Sequence, residues 1–334
     1  MSRVFIIAEA GVNHNGSLVL AKKLVDAAVN AGADAVKFQT WKTELMVTQR
    51  AEQAAYQMQN TKLIESQFSM LKKLELTYPE FIELKEYCDI KNIMFLSTPD
   101  EIQSAQFLFN LQDIFKIGSG NLTNFPLLQF IGRMNKSIII STGMANLEEI
   151  STSIKVLEEA GTSRNKITIL HCTTEYPVPI QEINLLAIKA IQNAFNLPVG
   201  YSDHSLGIQI PIAAVALGAT VIEKHFTLSR HLQGPDHKAS LEPIELQHMV
   251  DSIRTIESAL GDGIKRLMPC ELGNSLIARK SIVANQKIKK GDKFSNNSIT
   301  VKRPGSGISP MRWNEIIGTF AQRDYLEEDM IIED

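Results

Sequence analysis

Two histidines set the chemistry to look for. His204 closes a run at residues 198–204 through Ser202-Asp203, and His225 closes a second at 221–225 through Glu223-Lys224. Residues 206–218 between them are apolar and Ala-rich with a helical period, so the stretch reads as strand, helix, strand. Parallel neighbours bring both imidazoles to the same end of a sheet. Two imidazoles side by side make half of a divalent metal site. Asp236, in Gly234-Pro235-Asp236-His237, can add a carboxylate directly or behind them. A lone histidine is more often a satisfied core or surface group. A pair at matching strand ends, with a carboxylate following, is harder to read that way.

Two lysines form a second centre. Lys37 and Lys116 lie inside the apolar runs 35–38 and 114–117. A strand-embedded lysine at such an end is a Schiff-base amine or an anion ligand, unless it snorkels to solvent. Gly118-Ser119-Gly120 and Ser141-Thr142-Gly143 each follow an apolar run. Their backbone N–H groups and hydroxyls suit a phosphate, although turns after strands use glycine for backbone reasons as well. Glu9 ends the first run, where a carboxylate can orient water or a hydroxyl. Cys88, Cys172 and Cys270 are odd in number and lack CxxC spacing, which fits a reducing cytoplasm. Cys172 falls inside a predicted strand and reads as core.

The elements that must position these groups repeat. Apolar runs at 4–8, 35–38, 93–96, 114–117, 137–140, 167–170, 198–201 and 221–222 each end in polar residues, and helical segments separate most of them. Asn146 with Glu149 three residues on is a capping-box signature. Pro79 suits the first turn of a helix to residue 91. Residues 41–78, polar and rich in Gln and Met, read as a helical insertion over one end of the fold. Eight such units in about 260 residues predict an α/β fold, a (β/α)8 TIM barrel, over a doubly wound open sheet. A barrel gathers its site from the ends of several strands, here Glu9, Lys37, Gln39, Ser97, Lys116, Ser119, Ser141, Thr173, Tyr176, Ser202, His204, Glu223 and His225. The alternation stops after residue 262. We expect a barrel over 1–262, a linker over 263–274 and a small β-rich domain over 275–334. Sixty residues make a marginal core, so the small domain should dock on the barrel or on another subunit.

Composition narrows the partners. The 334 residues are 44% hydrophobic with a net charge of −3, so no global basic field invites nucleic acid, and an anionic substrate must be held locally. No run approaches 18 uninterrupted apolar residues, and the N-terminal run is short for a signal peptide, so neither a membrane span nor secretion is expected.

The segments IAEAGVNHNGS (7–17), DAVKFQT (34–40), FKIGSGNLTN (115–124), ISTGM (140–144), LHCTTEYP (170–177), GYSDHS (200–205), EKHFT (223–227), GPDH (234–237) and KRPGSG (302–307) resemble, in order, the sialic acid synthases and their nonulosonate relatives. The resemblance covers nearly the whole chain. It implies a barrel followed by an antifreeze-like (SAF) domain. It also implies condensation of phosphoenolpyruvate with an open-chain N-acylmannosamine, releasing phosphate by C–O cleavage. His204 and His225 would then hold a divalent metal, Mn²⁺ with Mg²⁺ or Co²⁺ as alternatives. Lys37, Thr98, Lys116, Ser119, Ser141 and Ser202 would surround phosphoenolpyruvate. Glu9 would be the acid/base residue, and Gln39, Tyr176 and Asp236 would contact sugar hydroxyls. Arg303, from the other subunit of a domain-swapped homodimer, would bind the N-acyl group. The chain departs from the N-acetylmannosamine pattern at Asn121 and Thr174, while AEQAAYQ (51–57) looks like the legionaminic branch. The expected sugar is therefore 2,4-diacetamido-2,4,6-trideoxymannose or N-acetylmannosamine, ahead of a pseudaminic-type sugar. The rivals are a metal-dependent barrel hydrolase, a non-catalytic carbohydrate-binding protein, and a 3-deoxy-heptulosonate-type synthase.

Overall fold

A computed structural model describes residues 3–61 and 65–333. The chain divides into two compact units, Met1–Asp262 and Gly263–Asp334. In the first, eight parallel strands alternate with helices: β1 (Phe5–Gly11), β2 (Ala35–Thr40), β3 (Met94–Pro99), β4 (Ile114–Ile117), β5 (Ser137–Ser141), β6 (Ile167–Cys172), β7 (Val199–Asp203) and β8 (Val221–His225). Their ladder order is β3-β2-β1-β8-β7-β6-β5-β4. The first strand pairs with the last, and the two ends of the order, β3 and β4, lie against each other, so the sheet curls round on itself rather than lying open as a doubly wound sheet would.

Closure is completed by a side chain. β3 and β4 lie side by side without a ladder. The buried Gln112 fills the gap: its Oε1 accepts the Ser97 N–H at 2.6 Å and its Nε2 donates to the Ser97 carbonyl at 2.9 Å. One amide thus satisfies a donor and an acceptor that a strand would otherwise pair.

Strand periodicity sets the position of the site. Ile7, Ala35, Leu96, Ile139, Leu170 and Val221 form one buried cluster. Each stands two residues before a polar group at its strand end: Glu9, Lys37, Thr98, Ser141, Cys172 and Glu223. Residues two apart on a strand share a face. The apolar layer therefore plugs the barrel, and the polar layer sits directly on top of it. A larger cluster containing Ile6, Phe38, Phe95, Phe115, Ile140 and Ile169 seals the sheet against the helices.

The insertion after β2 is helical as read, with short helices Thr43–Met46, Ala55–Thr61 and Gln67–Leu74 before the long helix Tyr78–Ile90. The last begins in a Thr77/Glu80 capping box with proline in its first turn, and Asn146 and Glu149 form the second box expected. Met70, Leu71 and Leu74 pack the insertion onto Trp41 and Val12. Glu75 ties its two ends together. It accepts from the Thr43 N–H at 3.1 Å, the Thr43 hydroxyl at 2.8 Å, Lys42 at 3.1 Å and Lys72 at 3.2 Å. Burial would raise this carboxyl, but the bonds from Thr43, Lys42 and Lys72 outweigh it and hold it down at about 2, from 4.5. A depressed carboxylate stabilises the fold fully above about 4.5 and progressively less as pH falls toward 2. After solvent screening, roughly 1–2 kcal/mol is at stake. Glu75→Gln should therefore lower urea resistance at pH 7 and flatten its dependence on pH between 4.5 and 3. An unchanged pH slope in the variant would show that Glu75 does not staple the insertion.

In the second unit, β9 (Ser281–Ala284) pairs antiparallel with β10 (Ile299–Lys302) over a core that includes Ile282, Phe294, Ile299, Tyr325 and Ile331. The stretch expected as a plain linker is partly helical. A turn of 3₁₀ helix at Pro269–Glu271 leads into the helix Leu272–Ala278. Among the described residues no helix is long and apolar enough to cross a membrane.

Candidate active site

At the C-terminal ends of the barrel strands lies a cavity of about 170 Å³. Its walls include Glu9, Lys37, Gln39 and Thr98 from β1–β3, and Lys116, Ser119 and Ser141 from β4, β5 and the turn after β4. Tyr176, Ser202, His204 and His225 complete the far side. Eleven of the thirteen residues given roles by the resemblance thus face one chamber, whereas the strand-end residues Ser97 and Thr173 do not line it. Asp236 stands just behind it, its Oδ2 3.9 Å from His225 Nδ1. Arg303 belongs to the second unit, where it is exposed and its Nε donates to the Ala278 carbonyl at 3.1 Å.

Charge on one side of the chamber is closely balanced. Lys37 Nζ lies 2.7 Å from Glu9 Oε2, 2.8 Å from the Thr98 hydroxyl and 3.8 Å from Glu223 Oε2. Lys116 Nζ donates to the Ser141 hydroxyl at 2.7 Å and lies 3.5 Å from Glu223 Oε1. Ser202 donates to the same Glu223 oxygen at 2.9 Å. Glu223 is therefore the common counter-ion of both lysines. Burial would raise its carboxyl, but Lys116 and Lys37 hold it down at about 2. Burial would lower Lys37, but Glu223 and Glu9 outweigh it and keep its ammonium above the ordinary range. Burial lowers Lys116, and it pushes Glu9 up to about 7 against the pull of Lys37. One carboxylate is fixed as an anion and the other is poised to exchange a proton near neutrality. That is the division of labour general acid–base chemistry needs.

The turn at Gly143 lets two strand ends approach closely. Its N–H donates to the Ser119 hydroxyl at 3.0 Å. A Cβ there would come within 2.1 Å of Thr174 Oγ1 and 2.9 Å of Ser119 Oγ, so any side chain would push both hydroxyls aside.

The histidine pair sits opposite the lysines, ring centroids 5.4 Å apart, with the Tyr176 ring 4.0 Å from His204 and edge-on to His225. His204 Nδ1 donates to the Thr173 carbonyl at 2.7 Å, which fixes the tautomer and leaves the Nε2 lone pair available. His225 Nδ1 is buried and without a hydrogen-bond partner. Burial and the neighbouring His204 hold His225 well below the ordinary imidazole range, so it is neutral. Among the described residues no three His, Cys, Asp or Glu side chains form a metal cage. The donor set therefore fits a cation that takes two imidazoles and fills its remaining positions with water and substrate oxygen.

Behind the pair, a fully buried Lys224–Asp203 ion pair of 2.5 Å packs between sheet and helices. Asp203 also accepts from the Tyr201 hydroxyl at 3.1 Å and from the Ser205 N–H and hydroxyl at 3.0 and 2.9 Å, and Lys224 donates to the Ser205 carbonyl. Ser202-Asp203-His204 and Glu223-Lys224-His225 thus alternate in, out, in. The inward residues line the chamber, and the outward ones lock β7 to β8 in register.

Cys172 is buried, as read, and it also lines the chamber, with Sγ 3.8 Å from His204 Nδ1. Burial would raise its thiol, but His204, Lys116 and Ser119 bring it below the ordinary range. Burial would likewise lower His204, but Cys172 raises it overall. Glu223 was named among the polar strand ends but given no role. The signal for one was available, because two buried lysines require a buried anion. Asp100, which also lines the chamber, follows a proline in a polar turn and gives no comparable signal.

The NeuB family matches residues 24–265, and the SAF domain matches 279–331. The chain belongs to the NeuB family. It is 52% identical over 334 residues, the full length of both chains, to the N,N'-diacetyllegionaminic acid synthase of Campylobacter jejuni. It is 44% identical to the enzyme of the same name from Legionella pneumophila, covering 94% of this chain and 89% of that one. The crystal structure of the N-acetylneuraminic acid synthetase of Leptospira borgpetersenii, in complex with citrate, superposes with a TM-score of 0.72 at 36% identity, covering 82% of this chain and 90% of that one. This NeuB-family chain is accordingly an enzyme, a transferase of the N-acetylneuraminate and N,N'-diacetyllegionaminate synthase type. Its barrel and SAF domain are those the resemblance implied.

Proposed function

We propose that the enzyme condenses phosphoenolpyruvate with 2,4-diacetamido-2,4,6-trideoxymannose to give N,N'-diacetyllegionaminic acid and phosphate. The observation that carries this reading is the end-to-end likeness to the Campylobacter jejuni enzyme. Asn121 supports it, because a neutral amide stands after the Gly-Ser-Gly turn instead of a carboxylate.

In this reading Lys37 and Lys116, with the hydroxyls of Thr98, Ser119, Ser141 and Ser202, hold the anionic groups of phosphoenolpyruvate. Lys37 acts as an ammonium rather than as a Schiff-base amine, because Glu9 and Glu223 keep its proton on. Gln39, Tyr176 and Asp236 orient the open-chain sugar so that its aldehyde carbon faces C3 of the enol. A divalent cation on His204 and His225 would supply Lewis-acid polarisation of that aldehyde. As the C3–C1 bond forms, the aldehyde oxygen becomes a hydroxyl by taking the proton that Glu9 retains near neutral pH. C2, left electron-poor, is attacked by water, whose proton returns to the Glu9 carboxylate. The tetrahedral carbon then collapses with cleavage of its C–O bond, leaving a ketone and inorganic phosphate.

Phosphate release from phosphoenolpyruvate with Mn²⁺ tests the proposal directly. Release should be faster with the diacetamido sugar than with N-acetylmannosamine, should stop with EDTA and should return with added Mn²⁺. A preference for N-acetylmannosamine would overturn the sugar, and EDTA-insensitive release would overturn the cation.

A further inference from the structure

Two motifs of the chain are only partly used by the chemistry above. Asn13-His14-Asn15 follows β1, and Gly234-Pro235-Asp236-His237 follows β8. Of these residues Asp236 alone has a part in the proposed reaction. Its carboxylate is buried and stands 3.9 Å from His225 Nδ1. No strand or long helix aims it, because Asp236 lies in irregular backbone just ahead of a single 3₁₀ turn, His237–Ala239. A side chain on such backbone is placed only as well as the loop beneath it.

Side chains from elsewhere in the barrel hold that loop by its carbonyls. Asn15 Nδ2 donates to the Gln233 carbonyl at 2.9 Å. Asn60, on the helix Ala55–Thr61 of the insertion, donates to the Pro235 carbonyl at 2.6 Å. The Ser240 hydroxyl donates to the carbonyl of Asp236 itself at 2.7 Å. Ser240 Oγ in turn accepts from Asn13 Nδ2 at 2.9 Å, and the same amide reaches the Phe226 carbonyl at 2.8 Å.

His237 is the post at the centre of the loop. It is fully buried, and burial lowers it to about 4, so the ring is neutral at pH 7. The Asn15 amide is oriented by its bond to Gln233, which turns Oδ1 toward the ring. His237 Nε2 donates to it at 3.2 Å, and Nδ1 accepts from the Thr227 hydroxyl at 2.7 Å. Gly234 lies against both groups: a Cβ there would come within 2.6 Å of the His237 ring and 2.8 Å of Asn15 Oδ1. Two struts therefore run from the turn after β1 to the loop after β8, Asn15 to His237 and Asn13 to Ser240. Water would satisfy the carbonyls of a loop that merely connects two elements.

We infer that Asn15, His237 and Ser240 are positioning residues, which hold the loop 233–237 so that the Asp236 carboxylate stands beside His225 where the acceptor sugar arrives. This rests on the function proposed above and adds to it the residues that aim Asp236. They touch neither substrate nor cation. Their effect on turnover passes through Asp236 alone.

That dependence gives the test, a double-mutant cycle in the full chain with Mn²⁺. Asn15→Gly and Ser240→Ala are each made alone and combined with Asp236→Asn. Glycine suits Asn15, whose φ of 51° is in the left-handed region, so the side chain is removed without straining the turn. In Ser240→Ala, Asn13 keeps its bond to Phe226. Melting curves confirm that each variant is folded, and kcat and KM are measured for phosphoenolpyruvate and for whichever of the two sugars the wild type prefers. Each strut variant should lower kcat/KM for the sugar about five- to tenfold, with KM for phosphoenolpyruvate within about twofold. Asp236→Asn should cost at least about tenfold, and in that background neither strut change should cost more than about twofold. Losses that multiply in the double variants, strut variants with wild-type kinetics, or a shift mainly in KM for phosphoenolpyruvate would overturn the inference and leave the proposed function standing. An Asp236→Asn enzyme with full activity would overturn the inference and the role given to Asp236. A wild type that releases no phosphate with either sugar would overturn the proposed function itself, and this inference with it.

Discussion

Replacing His225 with alanine is expected to abolish phosphate release, by more than about a thousandfold, because the proposed cation would supply several kcal/mol of aldehyde activation. The fold should tolerate the change. His225 Nδ1 has no hydrogen-bond partner to leave stranded, and the backbone pairing of β8 with β1 and β7 does not depend on the ring. Two readouts separate a lost cation from a lost shape. Calorimetric titration with Mn²⁺ should show binding to the wild type and none to His225→Ala, while the melting temperature stays within a few degrees. A variant that turns over normally, or that binds Mn²⁺ as the wild type does, would remove His225 from the metal site. His204→Ala should behave in the same way with one difference. The Thr173 carbonyl loses the donor that His204 now supplies at 2.7 Å, so some stability should go with the activity.

Lys224→Met is expected to be the most destabilising single change outside the apolar core. Both members of the Lys224–Asp203 pair are fully buried. Removing the ammonium leaves a carboxylate without a counter-ion in a medium that solvates it poorly, at a cost of about 3–5 kcal/mol. For a domain of this size that corresponds to a fall of roughly 6–20 °C in melting temperature. The bonds from Tyr201 and Ser205 to Asp203 soften the loss without replacing a full charge. The double variant Asp203→Leu/Lys224→Met should recover a large part of the deficit, because a matched apolar pair needs no solvation. If the single change moved the melting point by only a degree or two, the pair would not be the lock between β7 and β8 described above.

These residues also show what a sequence discloses and what it withholds. Ser202-Asp203-His204 and Glu223-Lys224-His225 announced a polar strand end. Their apolar lead-ins placed both histidines at one rim, and the chamber contains them as expected. The strands run further than the apolar runs suggested, β7 to Asp203 and β8 to His225. Polar side chains there are paid for by partners that only the folded register reveals. Asp203 meets Lys224 across the ladder, and Glu223 meets lysines from β2 and β4. Neither partnership has a spacing in the chain to betray it. The helix starts were legible because a capping box is local, as at Thr77 and Asn146. Gln112 was not, since an amide in a loop carries no period and its partner, Ser97, lies on a strand a whole helix earlier in the chain.

Gln112 has a wider consequence. Around most of its circumference the barrel is welded by backbone ladders, which do not depend on any one side chain. At one seam it is only buttoned, by a single amide. The turns after β3 and β4, which flank that seam, carry Asp100 and Asn121. The part of the rim that carries Asp100 and Asn121 is thus the part least constrained by the frame. That stretch of rim can change, residue by residue, without disturbing the ladders that hold the frame.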